Sequence, residues 1–271
     1  MNTNGIKKAE TIRFLFMVIV IQLCSWSCNT RIEGCLDVQA DNFDFDAELA
    51  CSGCCTYPTI GLALSQKWQD RNFTNTDTLY DQFDQPYKIQ DLKYFLTSWT
   101  WKDADGVVYT VDSAKADCGD EVLVYAPDNI IIDTRQFSYT MGNIRNSPEM
   151  TNLNFIAGIT QDFNCLDPED PAVPDNITKD SPLWNPETSS LSAIRMVLQL
   201  QIDTTLYDTV FVDLQQPFYI PYNESFIRGT DTQIKLTVDY NLWFSEVNVN
   251  DLSSFGQSVE QHLPGSIFPT P

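Results

Sequence analysis

Between Ile234 and Tyr240 apolar and polar residues alternate without a break. Ile234, Leu236, Val238 and Tyr240 fall on one side, and Lys235, Thr237 and Asp239 on the other. Successive side chains of an extended chain point to opposite faces, so this order suits a half-buried strand and would scatter around a helix. Runs rich in Thr, Val, Ile, Tyr and Phe, bounded by turn residues, repeat the signal through most of the chain. They predict strands at Ile60–Trp68, Tyr87–Trp101, Val107–Val111, Glu121–Tyr125, Ile130–Asp133 and Phe137–Met141. Further strands are predicted at Asn152–Thr160, Ala193–Asp203, Tyr207–Asp213, Gln216–Pro221 and Gln233–Phe244, with a hairpin turning near Asp203. Helix is scarce: Asp91–Leu96, Ser147–Leu153 and Val259–Leu263 each have room for a turn or two. Many short strands between turn signals predict an all-β fold, an antiparallel β-sandwich of the immunoglobulin or jelly-roll kind with long loops. Trp99 and Trp101 share one strand face, which is expected to be core.

One stretch resists any such assignment. Asp162–Ser190 carries Pro168, Pro171, Pro174, Pro182 and Pro186 among acidic and polar residues. A loop of that length inside a compact domain is usually functional or mobile. Cys165 lies at its start, within reach of a bond to Cys118 in the loop Asp117–Asp120. Closing that span would stabilise the fold by roughly 4 kcal/mol in the chain-entropy account.

The first 28 residues carry an address. Lys7, Lys8 and Arg13 precede the apolar run Phe14–Ile21, and Ser25 and Ser27 stand at −3 and −1 before Cys28. A basic start, a short apolar stretch and small residues before a cysteine describe a bacterial lipoprotein signal. Cys28 is the expected lipidation site; Cys24, preceded by Gln22 and Leu23, fits a peptidase pocket less well. The apolar run is too short for a hydrocarbon core of about 30 Å, which needs roughly 20 apolar residues. Anchorage by lipid at the outer membrane of a diderm bacterium is therefore expected. The absence of an acidic cluster in Asn29–Glu33 favours the periplasmic side over the cell surface. Residues 1–27 are thus read as signal, 28–58 as a cysteine-rich module and 59–271 as the sandwich.

Charge narrows the partners. Against 16 Lys and Arg stand 37 Asp and Glu, a formal net charge of −21. Such a surface repels nucleic acid and anionic lipid headgroups, so no nucleic-acid partner is expected. Roughly 240 residues after the signal suffice for one large β-domain or two smaller ones. Without Cys24 and Cys28, six of the eight cysteines remain: Cys35, Cys51, Cys54, Cys55, Cys118 and Cys165. An even set in an exported chain predicts disulfides, of any connectivity. Zinc at the Cys51-Ser-Gly-Cys54 pair would need a second ligand pair, and the one histidine, His262, is distant in sequence.

Asp37, Asp41, Asp44 and Asp46, with Asn42, are spaced so that an irregular turn can gather several oxygens. Oxygen is the ligand calcium takes, which makes these four a candidate calcium site. The strip lacks the central glycine and closing Glu of an EF-hand, and a solvated acidic face held by disulfides competes with it. No catalytic residue is assigned. There is no GxSxG, HExxH or phosphate-binding glycine loop, and His262 has no partner identifiable from sequence. Carboxylate pairs such as Asp167 and Asp170 carry little information in so acidic a chain, although two suffice for glycoside hydrolysis.

Two resemblances add to this. Gly34-Cys35-x-Asp37-x-x-Ala40-x-Asn42-Phe43-Asp44-x-Asp46-Ala47, closing at Cys55-Thr-Tyr57, resembles a short cysteine module (GCxDxxAxNYxPxA…CxY) of exported proteins in some diderm bacteria. Here Cys51-Ser-Gly-Cys54-Cys55 replaces the usual Asp-Asp-Gly-Ser-Cys ending. The resemblance implies a Cys35–Cys55 bond and leaves Cys51 to Cys54, with Cys35–Cys54 as the alternative. Asp91–Ser98, Leu153–Thr160 with Asn164, Ser181–Trp184, Ile194–Leu198 and Ile234–Phe244 then follow the order found in the MbnP-like domain. That family is named for methanobactin-associated periplasmic copper-binding proteins, and the resemblance covers most of residues 60–268.

It implies an exported β-sandwich and, in some members, copper held by histidines beside an oxidised tryptophan. This chain departs at that point. Copper sites draw on imidazole and sulfur, and His262 alone cannot supply two histidine ligands. A copper site here would need His262 to converge with Met141, Met150 or Met196, while Trp184 stands where the family has a Trp-rich segment. The expectation is a lipid-anchored, noncatalytic envelope protein that binds a metal ion, a small ligand or a partner protein. An accessory lipoprotein subunit of an outer-membrane complex and a copper-handling protein are the alternatives.

Overall fold

The computed structural model describes residues 31–111, 114–118, 121–125, 130–144, 149–159, 166, 173, 177–200, 206–227 and 229–270. The signal (1–27), Cys24, Cys28, Cys165 and the turn at Asp203 lie outside them. Among the described residues no helix is long and apolar enough to cross a membrane. The chain forms two compact bodies.

Among the described residues the smaller body comprises 31–37 together with Phe43–Cys55. Its regular structure is β1 (Glu33–Gly34) paired in parallel with β2 (Leu49–Ala50). Ile32 O accepts from the N–H groups of Glu48 (2.7 Å) and Leu49 (3.1 Å). Gly34 allows a close approach that no side chain would: a Cβ there would sit 2.7 Å from Asp44 Oδ2. So few residues cannot bury a core, and cross-links replace it. Cys35 is bonded to Cys55, and Cys51 to Cys54.

The larger body takes Val38–Asn42 and Thr56–Pro271. Its boundary therefore falls inside the predicted 28–58 module. The cause is local: Asp41 N donates to Thr56 O (3.0 Å), and Thr56 N donates to Asn42 Oδ1 (2.9 Å). Its strands begin with β3 (Thr59–Trp68), β4 (Arg71–Asn72), β5 (Leu79–Tyr80), β6 (Pro86–Lys102), β7 (Val108–Thr110), β8 (Ala114–Cys118) and β9 (Glu121–Tyr125). Next come β10 (Ile130–Asp133), β11 (Ser138–Asn143), β12 (Glu149–Gly158), β13 (Trp184–Asn185), β14 (Ser190–Leu191) and β15 (Ile194–Gln199). The chain ends with β16 (Tyr207–Val212), β17 (Gln215–Ser225), β18 (Thr232–Asp239), helix α1 (Phe255–Ser266) and β19 (Ile267–Pro269).

These strands make an all-β sandwich. The larger sheet runs β16-β15-β6-β12-β17, with β5, β7 and β10 also pairing with β6. The smaller runs β11-β3-β18-β19. Most pairings are antiparallel as expected, but β18 pairs with β3 in parallel, Leu236 opposite Leu64. Alternation places Ile60, Leu62 and Leu64 of β3, Ile234, Leu236 and Val238 of β18, and Leu92, Tyr94, Trp99 and Trp101 of β6 in one buried core. Burial of such side chains contributes about 1.5–3 kcal/mol each.

Several predicted elements differ. Asp91–Leu96 is strand throughout, inside β6, and Glu149–Leu153 of the second helical candidate belongs to β12. The strand predicted to reach Phe244 stops at Asp239, whose carboxylate accepts from Asn241 N and Gln69 N (both 3.0 Å) and turns Tyr240–Phe244 into a 3-10 helix. The strand predicted over Ala193–Asp203 ends at Gln199. Helix α1 extends the predicted Val259–Leu263 at both ends. Within Asp162–Ser190 the described residues include β13, paired with β14. Leu166, Val173, Ile177 and Leu183 form a second cluster over Phe95, on the outer face of β6.

Candidate functional site

Of the candidate calcium ligands Asp37, Asp44 and Asp46 lie in the smaller body, where the Asp44 carboxylate shapes a turn. Asp44 Oδ1 accepts from Asp46 N at 2.9 Å, closing a turn, and Asp44 Oδ2 lies against Gly34. The motif Gly34-Cys35…Asp44-x-Asp46 thus has a structural use: the glycine makes space for the carboxylate that shapes the turn. Asp41 belongs to the larger body, where its carboxylate takes the Thr56 hydroxyl. Among the described residues, one group of His, Cys, Asp or Glu places three ligand atoms within 4.8 Å of one another: Cys51, Cys54 and Cys55. All three are in disulfides, so none is a thiolate ligand. The Cys118–Cys165 bond falls outside the described residues.

His262 lies on α1, one turn after Ser258, because helical spacing puts residues four apart on one face. It lines a polar cleft of about 130 Å³ with Ser245, Glu246, Ser254, Gln257 and Gln261. His262 Nδ1 is 2.9 Å from Ser258 O. A carbonyl oxygen only accepts, so this contact puts the proton on Nδ1 and leaves Nε2 as the lone-pair nitrogen. Ser258 Oγ is 3.4 Å from the same Nδ1 but donates to Ser245 O at 2.6 Å. A nucleophilic serine needs an acceptor nitrogen facing its hydroxyl. Here the facing nitrogen is a donor and the hydroxyl proton is already committed. Neither the neighbour Ser258 nor the contact to Ser245 was identified from the sequence, where His262 stood without a partner.

The methionines are elsewhere. Met141, Met150 and Met196 are buried in the sandwich core on β11, β12 and β15, and none of them lines the cleft. Trp184, on β13, is half-buried.

A charge network that sequence reasoning missed crosses three strands. Lys93 of β6 has Asp133 of β10 as its partner on one side and Arg195 of β15 on the other. Lys93 Nζ is 3.2 Å from Asp133 and also contacts Asp91; Arg195 reaches Asp91 at 2.6 Å. Arg135 binds Asp133 at 2.8 Å and Asp91 at 3.0 Å. The Arg135 guanidinium, with the Lys93 ammonium behind it, holds the Asp133 carboxyl well below the usual carboxylate range. Asp91, Lys93 and Arg195 serve sheet packing, charge answering charge across adjacent strands.

Comparisons with known proteins return little. No family model matches the chain, and no curated protein does. Among solved structures the chain is similar to MbnP from Methylosinus trichosporium, with 10% identity and a TM-score of 0.41, over 70% of this chain and 78% of that one.

Proposed function

We propose that this chain is a noncatalytic binding domain displayed in the cell envelope, tethered to the outer membrane through lipid on Cys28. The observation that carries the reading is the Cys35–Cys55 bond. It belongs to a body with too few apolar residues to fold by burial, and such bonds persist in oxidising compartments outside the cytoplasm. The signal-like start with Cys28 agrees with that location. The geometry at Ser258 and His262, a donor nitrogen facing a committed hydroxyl, supports binding over hydrolysis.

The test is fractionation and N-terminal mass spectrometry of the full chain expressed in a diderm host. A membrane-bound product beginning at acylated Cys28, released by Cys28→Ser, is the expected result. A soluble product with an unmodified Cys28 would overturn the tether.

A further inference from the structure

We propose that the outer face of the β7-β6-β12-β17 end of the large sheet is a platform for a neutral oligosaccharide, with Tyr219 as the ring on which a sugar stacks. Strand register puts Thr110, Thr100, Asn154 and Tyr219 in one row, each the direct partner of the next. Val108, Lys102, Asn152 and Pro221 form the neighbouring row. Strands lie about 4.8 Å apart, so each row spans about 14 Å, the reach of a short oligosaccharide. The alternate residues Trp101, Leu153, Phe155 and Phe218 are buried on the inner face, which fixes these rows outward on a rigid support.

Three observations select the ligand. First, Tyr219 is 77% exposed, between Pro217 and Pro221 on the outer row of β17. A ring so exposed adds little to the fold. Flanked by stiff prolines, it offers a flat apolar surface that the C–H face of a pyranose can cover while the hydroxyls point aside. Second, the groups beside it are amides and hydroxyls. Asn154 Nδ2 donates to Thr100 Oγ1 at 3.3 Å, which leaves the amide oxygen and the Thr100 hydroxyl proton for vicinal sugar hydroxyls. Third, in a chain with 37 acidic residues these two rows contain none; their one charge is Lys102. A neutral chain is not repelled there, whereas a polyanion would meet the field of the whole protein. A protein partner would call for a cluster of large apolar anchors, and the rows provide one ring.

The proposal names a ligand class within the binding role above, but it does not depend on acylation of Cys28. The mature chain is run in native gels cast with xyloglucan, glucomannan, mixed-linkage β-glucan or soluble starch, with alginate as the anionic control. At least one neutral polysaccharide should retard it and alginate should not. Tyr219→Ala should weaken that retardation about tenfold and Asn154→Ala by less, both with unchanged melting. No retardation by any neutral polymer, equal retardation of Y219A, or binding confined to alginate would overturn the platform. So would a protein captured on Tyr219 in place of glycan. Failure of the lipid tether is read separately, from the mass of the N-terminus.

Discussion

Tyr94 and Tyr240 meet hydroxyl to hydroxyl in the centre of the sandwich, their oxygens 3.2 Å apart. Tyr240 donates onward to Gln66 Oε1 at 3.1 Å, and Gln66 Nε2 donates to Gln136 O at 2.7 Å. The chain of bonds joins β6, the end of β18 and β3, and Trp243 packs edge-on against both phenols. A buried polar chain is safe only while every member has a partner.

Breaking it at different points should therefore cost different amounts. Tyr240→Phe removes both contacts and strands Gln66 Oε1, for a loss on the order of 2 kcal/mol. Tyr94→Phe leaves the Tyr240–Gln66 bond in place and should cost about half as much. Urea midpoints of the two variants check the order; equal losses would contradict it.

Alkaline stability follows from the same residues. Burial pushes the Tyr94 and Tyr240 phenols well above their ordinary value, and that of Tyr139 up to about 12. A raised folded pKa gives stability that is present below about pH 10, the unfolded value, and is lost as pH rises towards the folded one. Phenolate absorbance from these tyrosines should appear only with unfolding, and Tyr94→Phe should flatten the decline. Early, reversible ionisation in the folded protein would count against this.

At acid pH the sign reverses. The Asp133 carboxyl is held low by Arg135 and Lys93, so its contribution is present above the ordinary aspartate range near pH 3.9 and is lost as pH falls below it. Denaturation midpoints between neutral and acid pH should fall less steeply in Asp133→Asn, which starts from a lower stability at neutral pH.

Gly158 ends β12 with φ +114°, and a Cβ there would lie 2.0 Å from Leu214 O. Neither backbone nor side chain can yield cheaply, so Gly158→Ala should destabilise by on the order of 3 kcal/mol or more. Thermal melting is the measurement, and a loss below 1 kcal/mol would be the contrary result.

The small body should answer to reductant and not to chelator. Asp44 is engaged with Asp46 and Gly34, and the cross-links hold the strip. Reduction should open residues 43–55 to protease, while calcium or EDTA should leave the cleavage rate unchanged. Calcium protection of the reduced chain would instead support the aspartates as ligands.

The alternation in β3 and β18 was legible because one face of each meets the core and the other does not. In β6 it was not. Register shifts fall beside Gln90 and Ser98, and Tyr94, Phe95, Leu96 and Thr97 are all buried in succession. Such a run blurs period two, since Phe95 finds its cover in Leu166, Val173, Ile177 and Leu183, far along the chain. Asn75 is equally silent in sequence, yet its amide donates to Ile89 O, Gln90 O and Thr134 Oγ1 at one of those shifts. Of the sites, His262 was visible as a candidate, without its neighbour Ser258. The Lys93 network and the Tyr219 row were not, because each exists only once three or four strands have found their register.

The parallel pairing of β3 with β18 sets a timetable. Thr59–Trp68 is made early and Thr232–Asp239 late, and with β19 they complete the small sheet. Synthesis proceeds from the N-terminus, and contacts this distant in sequence form slowly. Until the final segments emerge, β3 lacks β18, and its apolar row of Ile60, Leu62 and Leu64 stays without half its cover. A partly synthesised chain is therefore denied a premature native state. The apolar row of β3 is closed over on that side only once β18 has paired with it.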